Sequence, residues 1–244
     1  MIDPRMADRR RAVLERGARR GIRRALILLI AVSLVAGSIW LLQSPILSVN
    51  EIEVTGSDRQ DVREAVARAG IEEGTPLILV RPQRAIDELE ALPWVRAAAV
   101  GRVFPDRVEV AVDQRTAVAW MWASGSYAVL DIDGVVLEYV PTVAAGAPVL
   151  QLGVQRLEPG ESHIDPVVIG GIEFVATIDG VLSGLELRQQ GGELAGFFDG
   201  HEIRLGRPVD MAAKAAALLA VLADGIPGGS LINLIAPARP AVTP

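Results

Sequence analysis

The longest apolar stretch runs from Ala25 to Leu42, and no charged residue occurs between Ala25 and Asn50. Eleven of its eighteen residues are Leu, Ile or Val. Eighteen helical residues span about 27 Å, close to the ~30 Å hydrocarbon core of a bilayer. At about −0.3 to −0.6 kcal/mol for each such residue near the helix centre, insertion is favoured by several kcal/mol. Trp40 falls where an aromatic belt sits, and Pro45 stops the helix. The pattern predicts a transmembrane helix over 25–43. A cleaved signal peptide is the rival reading, with Ser33 to Gly37 supplying small residues. Apolar residues continue past that point to Leu42, which favours an uncleaved anchor.

Beyond the anchor the periodicity changes. After Asn50, Ile52 and Val54 alternate with Glu51 and Glu53 up to Gly56, the mark of a half-buried strand. Ser57 and Gln60 form a capping-box pattern. Val62, Ala65, Val66 and Ala69 follow at helical spacing, and Gly70 stops that helix. A second helix opens at Pro82, with Ile86 and Leu89 on its buried face, and ends at Leu92-Pro93. A strand from Val95 to Phe104, a turn at Pro105-Asp106 and a strand from Arg107 to Asp113 complete the order β-α-α-β-β, a first module over 49–117.

A second module, 118–236, reads as short strands separated by glycine turns. Strands are predicted at Ala117 to Trp122 and Tyr127 to Leu130, and again at Leu185 to Arg188 and His201 to Gly206. Turns are expected at Ser124-Gly125, Gly191-Gly192, Gly196 and Asp199-Gly200. Ile164 to Ile178 is apolar throughout, but the Gly170-Gly171 pair leaves a helix there open. Met211, Ala215, Leu218, Leu219 and Leu222 share one helical face, ended by Gly225 and Pro227. The run Ser230, Leu231, Ile232, Asn233, Leu234, Ile235, Ala236 is an apolar strand with no charge between Asp224 and Arg239. Exposed edges are normally blunted by charge or proline. This strand is either covered in the sheet or an edge kept for a partner. Residues 237–244 read as a Pro-rich tail. The predicted class is α+β: a transmembrane helix, the β-α-α-β-β module, then a mostly antiparallel β module with a C-terminal helix and final strand.

Charge sets the orientation. Residues 1–24 hold nine Arg and three acids, a net +6, while the whole chain is −6, so the remainder carries −12. Nine Arg precede the apolar segment, and only Arg59 and Arg63 lie in the 20 residues after it. The positive-inside rule then leaves the 1–24 tail in the cytoplasm and exports the C-terminal part, a single-pass type II arrangement in the cell membrane. An acidic body argues against nucleic acid as a ligand.

Little suggests catalysis. Cysteine is absent, His163 and His201 are the only histidines, and Lys214 is the only lysine. No Gly-x-Ser-x-Gly, Walker or dinucleotide motif occurs. His201 is expected to face solvent from its alternating strand. Asp131-Ile132-Asp133-Gly134 invites a calcium reading, but Val135, Val136 and Leu137 follow where oxygen ligands are needed. A hairpin turn fits better. No enzyme activity, cofactor, metal or small-molecule substrate is expected.

The sequence Leu92-Pro93-Trp94-Val95, then Ala97 to Val100, Arg102, Phe104-Pro105, and Gln114-Arg115 before Val118-Ala119 resembles the signature of the FtsQ/DivIB bacterial cell-division family. That family typically reads Leu-Pro-Trp-Val, Ala-x-Val-x-Arg-x-Trp-Pro, then Glu-Arg-x-Pro-Val-Ala. Here Phe104, Gln114 and Ala117 replace its Trp, Glu and Pro. The stretch from Leu130 to Leu137 and the run from Glu202 through Lys214 are similar to later family segments. The resemblance implies that the first module is a POTRA domain, with Pro93, Trp94, Val95, Arg102, Phe104, Pro105 and Arg115 as its structural residues. Trp94 and Phe104 are expected in the core; Arg102 and Arg115 are either solvated or part of a seam between modules.

It further implies a non-catalytic scaffold of the divisome that gathers FtsB and FtsL for septal peptidoglycan synthesis, with the strand 230–236 receiving FtsB by strand addition. On that reading, Lys at Ile232 or Leu234 weakens capture and leaves the fold intact. The alternative is a POTRA-containing export or envelope-assembly factor. Such factors usually carry a long membrane β-barrel, for which 244 residues leave no room.

Overall fold

The computed structural model describes residues 26–38, 40 and 45–244. The tail 1–24 lies outside them, as do residues 25, 39 and 41–43 of the predicted transmembrane segment. Residues 26–38 and 40 are helical (α1) and exposed. Among the described residues no helix is long and apolar enough to cross a membrane.

The first module follows the predicted order. Strand β1 (Glu51–Thr55) leads to helices α2 (Gln60–Arg68) and α3 (Pro82–Glu90), then β2 (Val95–Val103) and β3 (Arg107–Gln114). The sheet order is β1-β3-β2, with β1 parallel to β3 and β2 antiparallel to it. Val108, Val110 and Val112 alternate inward and pack under Val62, Ala65, Val66, Ala85 and Leu89 of the helices. Alternation on the strand and i, i+3, i+4 spacing on the helices thus meet in one core. The expected capping box is not made. Helix α2 begins at Gln60 after Arg59, and the Ser57 hydroxyl instead accepts from the Arg59 N–H at 3.2 Å.

The second module is a nine-stranded sheet. Its strands are β4 (Ala119–Ala123), β5 (Ser126–Leu130), β6 (Val136–Val140), β7 (Val149–Gln151), β8 (Glu186–Gln190), β9 (Glu193–Phe198), β10 (His201–Gly206), β11 (Leu231–Asn233) and β12 (Ala241–Thr243). Their order is β12-β11-β10-β9-β8-β7-β4-β5-β6. Hairpins at Ser124-Gly125, Gly191-Gly192 and Asp199-Gly200 each place two residues at positive φ, the geometry of tight two-residue turns. Parallel pairings occur where helices α4 (Pro166–Ile178) and α5 (Met211–Ala223) provide crossovers, at β7/β8 and β10/β11, and at β4/β7.

Glycines account for two departures from the sequence pattern. The apolar run around Gly170-Gly171 is one helix, α4, capped by Asp165, whose carboxylate accepts from the Val167 N–H at 2.8 Å. A Cβ on Gly170 would come within 2.7 Å of Pro208 Cβ, so this glycine is what lets α4 approach the loop before α5. Gly196 is not a turn residue. It lies inside β9, where a Cβ would press at 3.3 Å on Leu187 and Ile203, so the bare backbone makes room for core side chains.

Candidate partner-binding surfaces

Two places gather the residues singled out above: the junction of the modules and the C-terminal margin of the large sheet. At the junction, Arg115 leaves β3 with its N–H bonded to the Trp94 carbonyl at 2.8 Å and its Nε to the Val95 carbonyl at 3.3 Å. Its Nη1 reaches across to Asp131 Oδ2 at 2.6 Å and Asp133 Oδ2 at 3.3 Å. Asp131 is fully buried, and its other oxygen accepts from the N–H groups of Asp133 and Val135 at 3.0 and 2.8 Å. The carboxylate therefore shapes the β5–β6 turn and binds the first module at the same time. Arg96 adds an exposed contact to Asp133 at 3.6 Å. Arg115 thus belongs to the seam, whereas Arg102 is exposed and donates to the Ile78 carbonyl at 3.4 Å.

Trp94 is buried as expected. Its Nε1 donates to Asp61 Oδ2 at 2.9 Å and the Arg59 guanidinium lies 4.6 Å from its ring, tying the start of α2 to the start of β2. Val95 is buried beside it and Pro93 half-buried. Phe104 departs from expectation: it is 67% exposed. It sits with the exposed Pro105 at the tip of the β2–β3 turn, beyond the reach of the two helices that cover the sheet.

The C-terminal margin differs more. The strand read over 230–236 is not the edge. Its core, Leu231–Asn233, pairs with β10 on one side and β12 on the other. Ser230, Ile232 and Leu234 are fully buried, Leu231 and Asn233 half-buried, and Ile235 and Ala236 exposed. The tail expected at 237–244 turns back through Arg239, whose N–H bonds the Ala236 carbonyl at 2.9 Å, and supplies the edge itself. In β12 all three residues are exposed, with Val242 opposite Ile232. Three residues are too few for a periodicity, and the prolines at 237, 240 and 244 suggested a tail, so the sequence carried no signal for this strand. The sheet's other margin, β6, is partly covered: Val136 N–H bonds the Glu161 carbonyl at 2.9 Å and Gly160 N–H the Val136 carbonyl at 2.8 Å.

His201 also departs from expectation. It is buried, and its Nδ1 accepts from the Ser230 N–H at 3.1 Å, fixing the entry to β11. Lys214 is buried with Nζ on the Arg207 carbonyl at 2.8 Å; burial lowers its pKa, opposed by Asp210 and Glu193. The ammonium thereby pins the loop that packs against Gly170.

A profile of the FtsQ-type POTRA domain matches residues 47–115. Cell division protein FtsQ of Streptomyces collinus is 30% identical over 238 residues, covering 89% of this chain and 87% of that protein. Cell division protein FtsQ of Corynebacterium glutamicum is 28% identical over 200 residues, 80% of this chain and 87% of the relative. Cell division protein DivIB of Brevibacillus brevis is 30% identical over 128 residues, 52% of this chain and 48% of the relative.

Proposed function

Because this chain belongs to the FtsQ/DivIB family of bacterial cell-division proteins, we propose that within the divisome it is a non-catalytic scaffold whose exported part captures partner chains. Segment 25–43 anchors it in the cell membrane, with the Arg-rich tail in the cytoplasm. The POTRA module, 49–117, stands next to the membrane, and the β module presents its C-terminal margin. The partners are FtsB, and FtsL with it.

The observation that carries this reading is the β12 edge. Its outward main-chain groups end the nine-stranded sheet, and no charged side chain lies within 240–244. Pro240 and Pro244 bracket it, limiting the ladder to three residues and discouraging indiscriminate pairing. A partner strand added here would gain main-chain hydrogen bonds, with Val242 facing one alternate side-chain position. The family-signature Arg115, held on the Trp94 and Val95 carbonyls, ties the two modules together at the other end of the sheet.

The test is capture of the extracytoplasmic region of FtsB from the same cell by the full chain and by a chain ending at Pro240. Removing β12 takes away no buried side chain, so the truncated chain stays folded by circular dichroism. Loss of capture with the fold retained is the expected result. Capture that survives truncation sinks the edge assignment. Absence of capture by the full chain sinks the partner assignment.

A further inference from the structure

The first module has two ends. Strand β3 runs the length of its sheet, eight residues or about 27 Å. At the Gln114 end stands the seam with the second module through Arg115. At the Arg107 end three segments come together: the entry to β1, the 3₁₀ turn Leu77–Leu79, and the β2–β3 turn. Asn50 N–H bonds the Asp106 carbonyl at 2.8 Å and its side-chain amide bonds Asp106 Oδ2 at 3.1 Å. Val49 N–H bonds the Thr75 carbonyl at 2.8 Å, and Arg102 reaches the Ile78 carbonyl.

Large apolar side chains are exposed at this end and do not fill the core. Ile78 is 49%, Leu79 65% and Phe104 67% exposed, and Ile46, just ahead of β1, is exposed as well. Contiguous exposed apolar groups on a folded module mark an interaction surface. The sequence indicates what covers this one. Leu42 ends the apolar anchor only four residues before Ile46, and four residues of extended chain reach at most ~14 Å. Within that tether the nearest apolar medium is the bilayer itself. The exposed guanidiniums of Arg81 and Arg102 flank the patch, placed to meet lipid phosphates. Of the acids at this end, Glu51 pairs with Arg107 at 3.0 Å and Asp106 accepts from the Asn50 amide, while Glu72 and Glu73 are exposed beside the Thr75 turn.

We propose that the Arg107 end of the first module is seated in the headgroup region of the membrane, with Ile78, Leu79 and Phe104 in contact with lipid. This rests on the membrane anchor proposed above and adds a second, non-spanning contact. The two attachments, a helix and an apolar tip, fix the direction in which β3 points, so the second module is carried away from the bilayer.

The absence of cysteine makes the test direct. Single-cysteine chains L34C, L79C, F104C and I164C, full length, carry an environment-sensitive fluorophore in phosphatidylethanolamine and phosphatidylglycerol vesicles. Doxyl-labelled lipids act as quenchers. All four side chains are exposed, so labelling leaves the fold in place. The expected result is strong quenching at Leu34→Cys and several-fold more quenching at Leu79→Cys and Phe104→Cys than at Ile164→Cys, which lies in the second module. Quenching at position 34 with positions 79 and 104 as wet as 164 overturns the seating and spares the anchor. Absence of quenching at position 34 overturns the anchor, and the seating falls with it.

Discussion

Arg115 and Asp131 meet at 2.6 Å across the junction of the two modules, the arginine mostly buried and the aspartate wholly so. Removing one partner of such a pair leaves a buried charge uncompensated. Asp131→Ala also strips the acceptor from two turn N–H groups. It is expected to lose about 3–5 kcal/mol in urea unfolding. Asp133→Ala, which removes only the exposed arm of the cluster, is expected to lose no more than about 1 kcal/mol. Equal losses for the two variants would count against a seam built on Asp131.

Trp94 contributes both ring burial and an indole hydrogen bond. Trp94→Ala is expected to cost about 3–5 kcal/mol. Trp94→Phe keeps most of the burial and forfeits the bond to Asp61, a loss of about 1 kcal/mol. Thermal unfolding of the two variants separates these contributions, and a neutral Trp94→Ala would contradict a core role.

The burial of Ile232 and Leu234 changes what lysine does there. Leu234→Lys places an ammonium among the side chains that pack around Ile203, Leu205 and Leu218, so the second module is expected to lose several kcal/mol or not to fold. Partner capture cannot be read from that variant. Val242→Lys, at a side chain 38% exposed on β12, is expected to change stability by less than about 0.5 kcal/mol while weakening capture. A stable, soluble Leu234→Lys chain would contradict the burial described here.

His163 supplies a pH dependence. It is buried with Nε2 lacking a hydrogen-bond partner, and burial lowers its pKa from 6.5, with Asp165 pulling upward by less. The folded chain therefore binds this proton less readily than the unfolded one. Stability rises with pH between the lowered folded value and 6.5, and is lost as pH falls through that window. His163→Gln is expected to flatten that part of the stability profile, measured by urea unfolding from pH 5 to 7. An unchanged slope would assign the acid sensitivity to other groups.

Periodicity made the first module legible because each of its elements is long enough to repeat. The helix positions at 62, 65, 66 and 69 and the strand positions at 108, 110 and 112 are all buried. An aromatic beside a valine strand reads as core, and only the position of the turn relative to the helices puts Phe104 outside it. In the second module, helix α4 was obscured by glycines that serve packing against Pro208 and Leu150. The candidate edge was displaced by one strand, because pairing partners distant in sequence decide which strand is outermost. The apolar character of 230–236 was visible; that it comes from burial between β10 and β12 was not. The Arg115 motif was legible, as was the family-like turn segment around Asp131, but nothing in the sequence pairs the two.

The strand order also fixes a distance. The seam is made at the β5–β6 turn and the open edge is β12, so nearly the whole sheet separates them. Eight spacings of ~4.8 Å make about 38 Å between the outermost strands. A companion chain that touched both would need roughly 25 helical residues or about 11 extended ones to bridge them. The sheet is in this sense a ruler. On the scaffold reading proposed above, it selects companions by the length between two points of contact as well as by the residues that make them.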